Sequence, residues 1–315
     1  MDLITSQFGY RSSSLDVAEG IDLRGRHALV TGATSGLGVE TARALATAGA
    51  TVHLPVRDTV RGHAVVDELT RDLPGANFVL GAMDLGSVAS VRTYAATLTG
   101  PLDILVANAG IMATPAGRTV DGFELQLGTN AIGHYVLVTS LLENLRRASD
   151  GSRVVMLSSI AHRIAGVDFD DPHFTTRPYD PWVSYGQSKS ACSLLGVALT
   201  AHFADDGLFA NAVHPGGIMT GLQKHMTEEE IRSRGWVDEH GEPNPLFKTP
   251  AQGASTATWV ATSPDLAGVG GRYFEDCQEA KPWDASSPMT GVMPHALDPD
   301  SAQRLWELCA GAVSN

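Results

Sequence analysis

Short, almost wholly apolar runs alternate along the chain with longer stretches whose apolar positions recur every three to four residues. The short runs are 27–31, 51–54, 77–82, 104–107, 154–157, 209–213 and 272–274. Runs of this length, rich in Val, Ile, Leu and Ala, suit strands that are covered on both faces. The helical period occupies 38–47, 59–73, 87–98, 122–147, 184–203 and 250–262. In the first of these, Val39, Ala42 and Ala46 share a side and Gly49 follows the end. Strand and helix alternating over the whole length predict βαβ units, hence an α/β fold with a doubly wound, parallel, seven-stranded sheet between two helical layers. Pro55 fits poorly at the end of the second strand, because proline cannot donate to a ladder.

Three segments break the rhythm. Residues 1–24 form an N-terminal arm in which Ser12–Ser14 cap a short helix that Gly20 stops. Residues 160–183, with Pro172, Pro178 and Pro181, read as a long irregular insertion. Residues 217–249 hold one short charged helix between glycine and proline breaks. Loops beyond about 12–15 residues in a compact domain usually act as lids or binding loops, so both are assigned to a substrate mouth on a single domain, 25–315. The chain ends in a helix over 298–309, with Pro299 at its first position.

A length of 315 residues, 43% hydrophobic and 18% charged, supports a sizeable core and excludes disorder. The net charge of −13 argues against nucleic acid and anionic membranes as partners, while leaving room for a small anionic cofactor in a local pocket of N–H groups. Cys192, Cys277 and Cys309 are too few and too scattered for a disulfide framework and are expected as reduced, buried thiols. The first twenty residues lack an apolar core and carry Asp2, Asp16 and Glu19, unlike a signal peptide. No window approaches the roughly 18 apolar residues of a membrane span. A cytoplasmic protein is expected. The 11 histidines form no ligand pattern, so no metal site is expected, and His134 and His162 read as structural.

Two motifs carry chemistry. Gly32, Thr34, Ser35, Gly36, Leu37 and Gly38 lie between the first strand and the first helix. Glycines there allow a tight turn and let backbone N–H groups meet a pyrophosphate at a helix N-terminus. Tyr185 and Lys189 stand four apart, one turn along one helix face. A tyrosine with a free pKa near 10 is a poor acid or base at pH 7, and a fixed ammonium close by favours its phenolate.

Together these motifs resemble the short-chain dehydrogenase/reductase superfamily over about residues 25–275. Asn108-Ala109-Gly110 is similar to the family's turn after the fourth strand, Asn130 to the asparagine of its central helix, and Ser158-Ser159 to the end of its fifth strand. Pro215, Gly216, Ile218 and Thr220 resemble the segment over the nicotinamide; Asp84 and Leu85 match the adenine side. Within the superfamily the likeness is to the retinol-dehydrogenase-like branch, including the WW-domain-containing oxidoreductases, through 12–20, 126–135, 158–162 and 271–277. No WW domain precedes the core in this sequence. The gap from Ser159 to Tyr185 is longer than is usual in the superfamily, and that branch shares such an insertion.

The resemblance implies a Rossmann-like fold and an NAD(P)-dependent oxidoreductase acting on CH–OH groups. Tyr185 would be the acid or base and Lys189 its pKa-lowering partner, which also holds the nicotinamide ribose. Ser159, chosen over Ser158, would donate to the substrate oxygen, and Asn130 would orient a water. The cofactor-binding set is Gly32, Thr34, Ser35, Gly36, Leu37, Gly38, Arg57, Asp84, Leu85, Asn108, Ala109, Gly110, Tyr185, Lys189, Pro215, Gly216, Ile218 and Thr220. Val56 stands where NAD enzymes of the family carry an acid, and Arg57 follows it, so NADP(H) is expected over NAD(H), with Ser35 leaving the phosphate clamp incomplete. Asp58 is read as a helix cap. The apolar stock of the two loops (Ile164, Phe169, Phe174, Trp182, Met219, Leu222, Met226, Trp236 and Phe247) suggests a bulky hydrophobic alcohol or ketone, and Trp283 is a further possible lining residue. A homodimer through 122–147 and 184–203 is expected, using Leu137, Leu141, Leu194, Leu195 and Val197, unless the N-terminal arm or the C-terminal helix covers those faces. A non-redox epimerase or cyclase and a cofactor-binding regulator are the rival readings, since fold alone does not decide function.

Overall fold

The four central strands, His27–Val30, Ile104–Ala107, Ser152–Leu157 and Leu208–His214, are buried at nearly every position, the pattern of a sheet clothed on both sides. A computed structural model describes residues 3–314; Met1, Asp2 and Asn315, assigned above to the arm and the domain, lie outside the described residues. The elements run α1 (Ser14–Ala18), β1 (His27–Val30), α2 (Leu37–Thr47), β2 (Thr51–Val56), α3 (Thr59–Asp72), β3 (Asn77–Ala82), α4 (Val88–Ala95) and β4 (Ile104–Ala107). They continue with α5 (Leu125–Leu127), α6 (Gly133–Ser140), α7 (Leu142–Arg146), β5 (Ser152–Leu157), α8 (Pro181–Phe203), β6 (Leu208–His214), α9 (Glu228–Ser233) and α10 (Pro250–Gly253). The last are α11 (Ser255–Thr262), β7 (Tyr273–Glu275), β8 (Gln278–Glu279) and α12 (Pro299–Val313).

The sheet order is β3-β2-β1-β4-β5-β6-β7-β8. Seven strands are parallel, as expected; the eighth, β8, is an antiparallel addition that hairpins back on β7. Such a strand of two residues carries no period for a sequence to show. The arm lies against it: Glu279 N donates to Ile4 O at 2.7 Å and Gln278 Nε2 to Phe8 O at 2.8 Å. That covers an otherwise unpaired edge. Pro55 is accommodated because β1 pairs with β2 only as far as His53, and Pro55 faces Gly81 of β3 alone.

Leu29, Leu105 and Met156 face one core beneath α4, α6 and α8; Ala28, Val30, Val106 and Val155 face another, which holds the edge-to-face pair Trp259–Phe274 at 5.4 Å. Two expectations need correction. The long helix over 122–147 is instead α5, a π-helical turn Gly128–Ile132, α6 and α7. It starts late because Glu124 caps it, its carboxylate accepting from Gln126 N and Leu127 N. The helix of Tyr185 starts earlier than expected, since Asp180 caps it and Pro181 takes the first position, where its missing N–H costs nothing.

The face expected to meet a second copy is covered from within by α12, whose Ala302, Leu305 and Cys309 join the core that holds Leu137, Leu141, Leu194 and Leu195, with Val197 packed at its margin. Trp306 meets Tyr135 at 4.9 Å and stacks on His202 at 4.3 Å. The three cysteines are buried and free; burial pushes the Cys309 thiol up to about 12. Among the described residues no helix is long and apolar enough to cross a membrane.

Candidate active site

The glycine turn is built from close approaches. Gly32 sits at φ +71°, and a Cβ there would fall 2.8 Å from Ala109 Cα; one on Gly38 would fall 2.6 Å from Asn108 Nδ2 and Gly32 O. Asn108 Nδ2 donates to Thr31 O and Ala109 N to Thr31 Oγ1, which bind the two loops together. Gly36 caps α2 at φ +61° without a side-chain hydrogen bond, so the first turn of α2 has no side-chain cap on its N–H groups. Such a terminus attracts an anion. Thr220 roofs it: a Cβ on Gly36 would lie 3.3 Å from Thr220 Cγ2. The turn has the clearance and the free donors that a dinucleotide's pyrophosphate needs.

At the outer end Arg57 and Ser35 are exposed, and Asp58 caps α3 as expected, its Oδ1 accepting from Arg61 N at 3.0 Å. Arg61, not among the expected residues, reaches back so that its Nε donates to Thr34 O at 3.1 Å. Its spacing of four from Arg57 on the first turn of α3 was the available signal. Asp84 Oδ1 accepts from Gly86 N, and Leu85 is pinned by Gly133, where a Cβ would lie 2.4 Å from Leu85 O.

Across the cleft, Ser158 and Ser159 separate in role. Ser158 Oγ is buried and donates to Lys189 O at 2.9 Å, tying β5 to α8. Ser159 Oγ is at the surface of the cleft and accepts from Ala161 N at 3.1 Å. Gly186 lets α8 approach closely, since a Cβ there would lie 2.8 Å from Ala161 O. Tyr185 therefore packs with Ala161, Met112 and Ala113. Lys189 Nζ, nearly buried, donates to Leu157 O at 2.7 Å and lies 5.8 Å from the Tyr185 ring centre. Asn130 Nδ2 donates to Ile111 O and Ser188 Oγ, and Oδ1 accepts from Ile111 N. Oδ1 keeps one lone pair; it and Lys189 Nζ lie 3.3 and 3.5 Å from where a Cβ on Gly110 would be.

The two histidines read as structural are linkers. His134 Nδ1 meets Asn130 O at 2.8 Å and Nε2 meets Thr31 Oγ1 at 2.9 Å, joining the π-turn to the glycine turn. Burial pulls its pKa down to about 4, so the ring is neutral. His162 Nδ1 meets Ser159 O at 2.7 Å, and its Nε2 accepts from Met293 N at 3.0 Å. Burial likewise lowers it to about 4. His214, lowered by burial to about 3, accepts from Ile160 N at Nδ1.

Pro215, Gly216 and Ile218 follow β6 and are backed by Lys248, whose Nζ is fully enclosed and paired with Asp276 at 2.5 Å. A Cβ on Gly216, at φ +96°, would lie 2.9 Å from Lys248 Cδ. Neither Lys248 nor Asp276 was anticipated, and no local spacing links residues 28 apart. The mouth is lined by Trp182, Leu222, Met226 and Trp236, packed against the Tyr185 cluster. The Trp182 ring is 6.2 Å from that of Tyr185 and 6.1 Å from Trp236, which meets Phe247 at 6.0 Å. Three expected lining residues are elsewhere. Phe169 packs under Arg304 of α12, Phe174 meets Tyr179 edge to face and lies under Arg177, and Trp283 lies by Arg163. Ile164 is exposed beside α8. The insertion is ordered by Asp171, whose carboxylate accepts from the N–H and hydroxyl of both Thr175 and Thr176, holding it well below the usual carboxylate range.

Comparison with known proteins agrees with this geometry. The family described as short chain dehydrogenase matches residues 26–231. A probable oxidoreductase of Streptomyces antibioticus is 49% identical over 298 residues, 93% of this chain and 99% of that protein. Retinol dehydrogenase 14 of Homo sapiens is 33% identical over 307 residues, 91% of this chain and 85% of that one. A crystal structure of an uncharacterized protein from Mycobacterium paratuberculosis superposes with a TM-score of 0.73 at 32% identity, covering 94% of this chain and 96% of the other.

Proposed function

Because the chain belongs to the short-chain dehydrogenase family, in its retinol-dehydrogenase-like branch, and is a dehydrogenase/reductase, we propose that it interconverts an alcohol and a carbonyl on a bulky hydrophobic molecule, with NADP(H) preferred to NAD(H). The carrying observation is Tyr185 and Lys189 on one face of α8, packed against Ala161, whose N–H donates to Ser159 Oγ, and against Trp182 and Trp236. When bound, the nicotinamide supplies or accepts the hydride. The residues do the rest. Tyr185 gives its proton to the substrate oxygen in reduction and takes it in oxidation. Ser159 Oγ donates to that oxygen as negative charge builds. Lys189 Nζ, 5.8 Å from the centre of the Tyr185 ring, would hold the nicotinamide ribose and stands on the path of the proton. Asn130 Oδ1, with its remaining lone pair, supports a water on the way to Lys189.

Gly32, Gly36 and Gly38, with Asn108-Ala109-Gly110 and Pro215, Gly216, Ile218 and Thr220, would hold the dinucleotide. Arg57, just past β2, and Arg61, on the first turn of α3, would take the 2′-phosphate, so that Arg61 completes the clamp that Ser35 leaves short. The apolar mouth and the name of the human relative both support a large hydrophobic substrate. The test is Tyr185→Phe. Turnover with NADPH and a panel of hydrophobic ketones, read at 340 nm, should fall at least a thousandfold, with NADPH affinity unchanged within about threefold; general acid catalysis contributes 10²–10⁴ on its own. Wild-type turnover in this variant removes the assignment.

A further inference from the structure

The lid places one arginine directly over the aromatic mouth. The helix α9 closes with Gly235 at φ +66°, and Trp236 N donates to Ile231 O. This turn sets Arg234 and Trp236 side by side. The Arg234 guanidinium carbon sits 3.9 Å from the centre of the Trp182 ring and 5.9 Å from that of Trp236. Stacking of this kind holds the planar group by its face and leaves its edge donors free.

Among the described residues those donors have no protein acceptor. Among the described residues Arg234 has no ion pair, while the acids around it are engaged elsewhere. Glu228 pairs with Arg232, Glu230 caps α9 through Thr227, and Asp180 caps α8 at Trp182 N. Two tryptophan rings hold the guanidinium at the mouth. The route from Tyr185 is short: its ring is 6.2 Å from Trp182, and the guanidinium is on that same tryptophan. One small molecule spans both.

We propose that Arg234 binds a carboxylate at the far end of the substrate, so that the substrate class is a hydrophobic hydroxy- or keto-acid. This rests on the redox reading of the Tyr185 site. The body of the molecule packs between Trp182, Trp236, Leu222 and Met226, its alcohol or ketone at Tyr185 and its carboxylate on the planar fork. A single guanidinium matches the charge of a monoanion rather than that of a phosphate dianion.

The test uses 5-oxo-5-phenylpentanoate and its methyl ester, titrated into NADP-saturated enzyme and followed by tryptophan fluorescence. In the wild type the acid should bind about tenfold more tightly than the ester, the lower end for a charge-assisted pair because the arginine is exposed. In Arg234→Gln the two dissociation constants should converge while that of the ester stays within twofold. Arg234→Lys should recover part of the difference. Equal affinity for acid and ester in the wild type overturns the proposal, as does a parallel loss of both in Arg234→Gln, or binding of neither. NADPH oxidation with the ester separates the two readings. Turnover by wild type and Arg234→Gln alike, lost in Tyr185→Phe, upholds the redox reading whatever the charge preference. A charge preference without turnover keeps the role of Arg234 as a carboxylate site and removes the redox reading.

Discussion

Glu275 closes β7 opposite His214, at the end of the sheet where the cleft opens, and it is a carboxyl out of place. It is 8% exposed; Oε1 accepts from Gly291 N at 2.7 Å, and Oε2 has no hydrogen bond. Burial raises its pKa from 4.5 to about 7, Asp276 adding to the rise and the Gly291 N–H, Lys248 and Arg163 opposing it. The native state therefore keeps a proton that the unfolded chain has already released, so stability falls as pH climbs from about 4.5 to about 7 and stays lower above that. At about 1.4 kcal/mol per pKa unit, the loss between pH 5 and pH 8 is about 3 kcal/mol. The buried histidines act in the opposite direction: His53, His134 and His162 are lowered to about 4 and His214 to about 3, so they add stability as pH rises toward 6.5. The wild-type curve alone mixes the two, and the difference from Glu275→Gln isolates the carboxyl. The amide can still accept from Gly291 N, and whatever its own fit costs does not change with pH. Urea unfolding followed by tryptophan fluorescence at pH 5 and pH 8 should show the Gln variant gaining about 3 kcal/mol on the wild type between the two conditions. A difference that is the same at both pH values refutes the argument that Glu275 is protonated in the folded protein near neutrality.

Replacing Arg57 or Arg61 by Ala should weaken NADP binding about tenfold to a hundredfold and leave NAD binding within about threefold, measured by cofactor titration; equal losses for both cofactors would move the phosphate site elsewhere. Because α12 already covers the faces of α6 and α8, light scattering at micromolar concentration should return the mass of one chain. Leu305→Asp, which puts a charge into that contact, should destabilise the protein by several kcal/mol in urea, and a dimer in the wild type would show that another face pairs.

The sheet was legible because the strand runs are short and apolar, whereas the helices keep a period; both patterns follow from covering a sheet on two faces. The glycine turn and the Tyr185–Lys189 pair were legible because their geometry is local: a turn of a few residues and one turn of helix. Ser159 could be distinguished from Ser158 only by likeness to the family, and the geometry supplies the reason, since the buried hydroxyl of Ser158 is already spent on Lys189 O. The late start of the central helix was not legible. Gly122 and Phe123 continue an apolar pattern, and it is the Glu124 carboxylate, turned onto Gln126 N and Leu127 N, that sets the first turn.

What escaped the sequence are the contacts that only the assembled fold brings together. Lys248 and Asp276 meet across 28 residues. Phe169 and Phe174 looked like pocket residues by composition and are instead committed, the first to Arg304 and the second to Arg177 and Tyr179, because a loop this long must build its own small core before it can shape anything else. Arg234 is the sharpest case. In sequence it is one charge in a polar helix end, the ordinary appearance of a solvated face. Its meaning comes from Trp182, 52 residues earlier, which occupies the second position of α8 because Asp180 caps that helix. The capping bond aims the indole, the indole holds the guanidinium, and a local rule at one helix terminus thereby sets the charge at the mouth of the cleft.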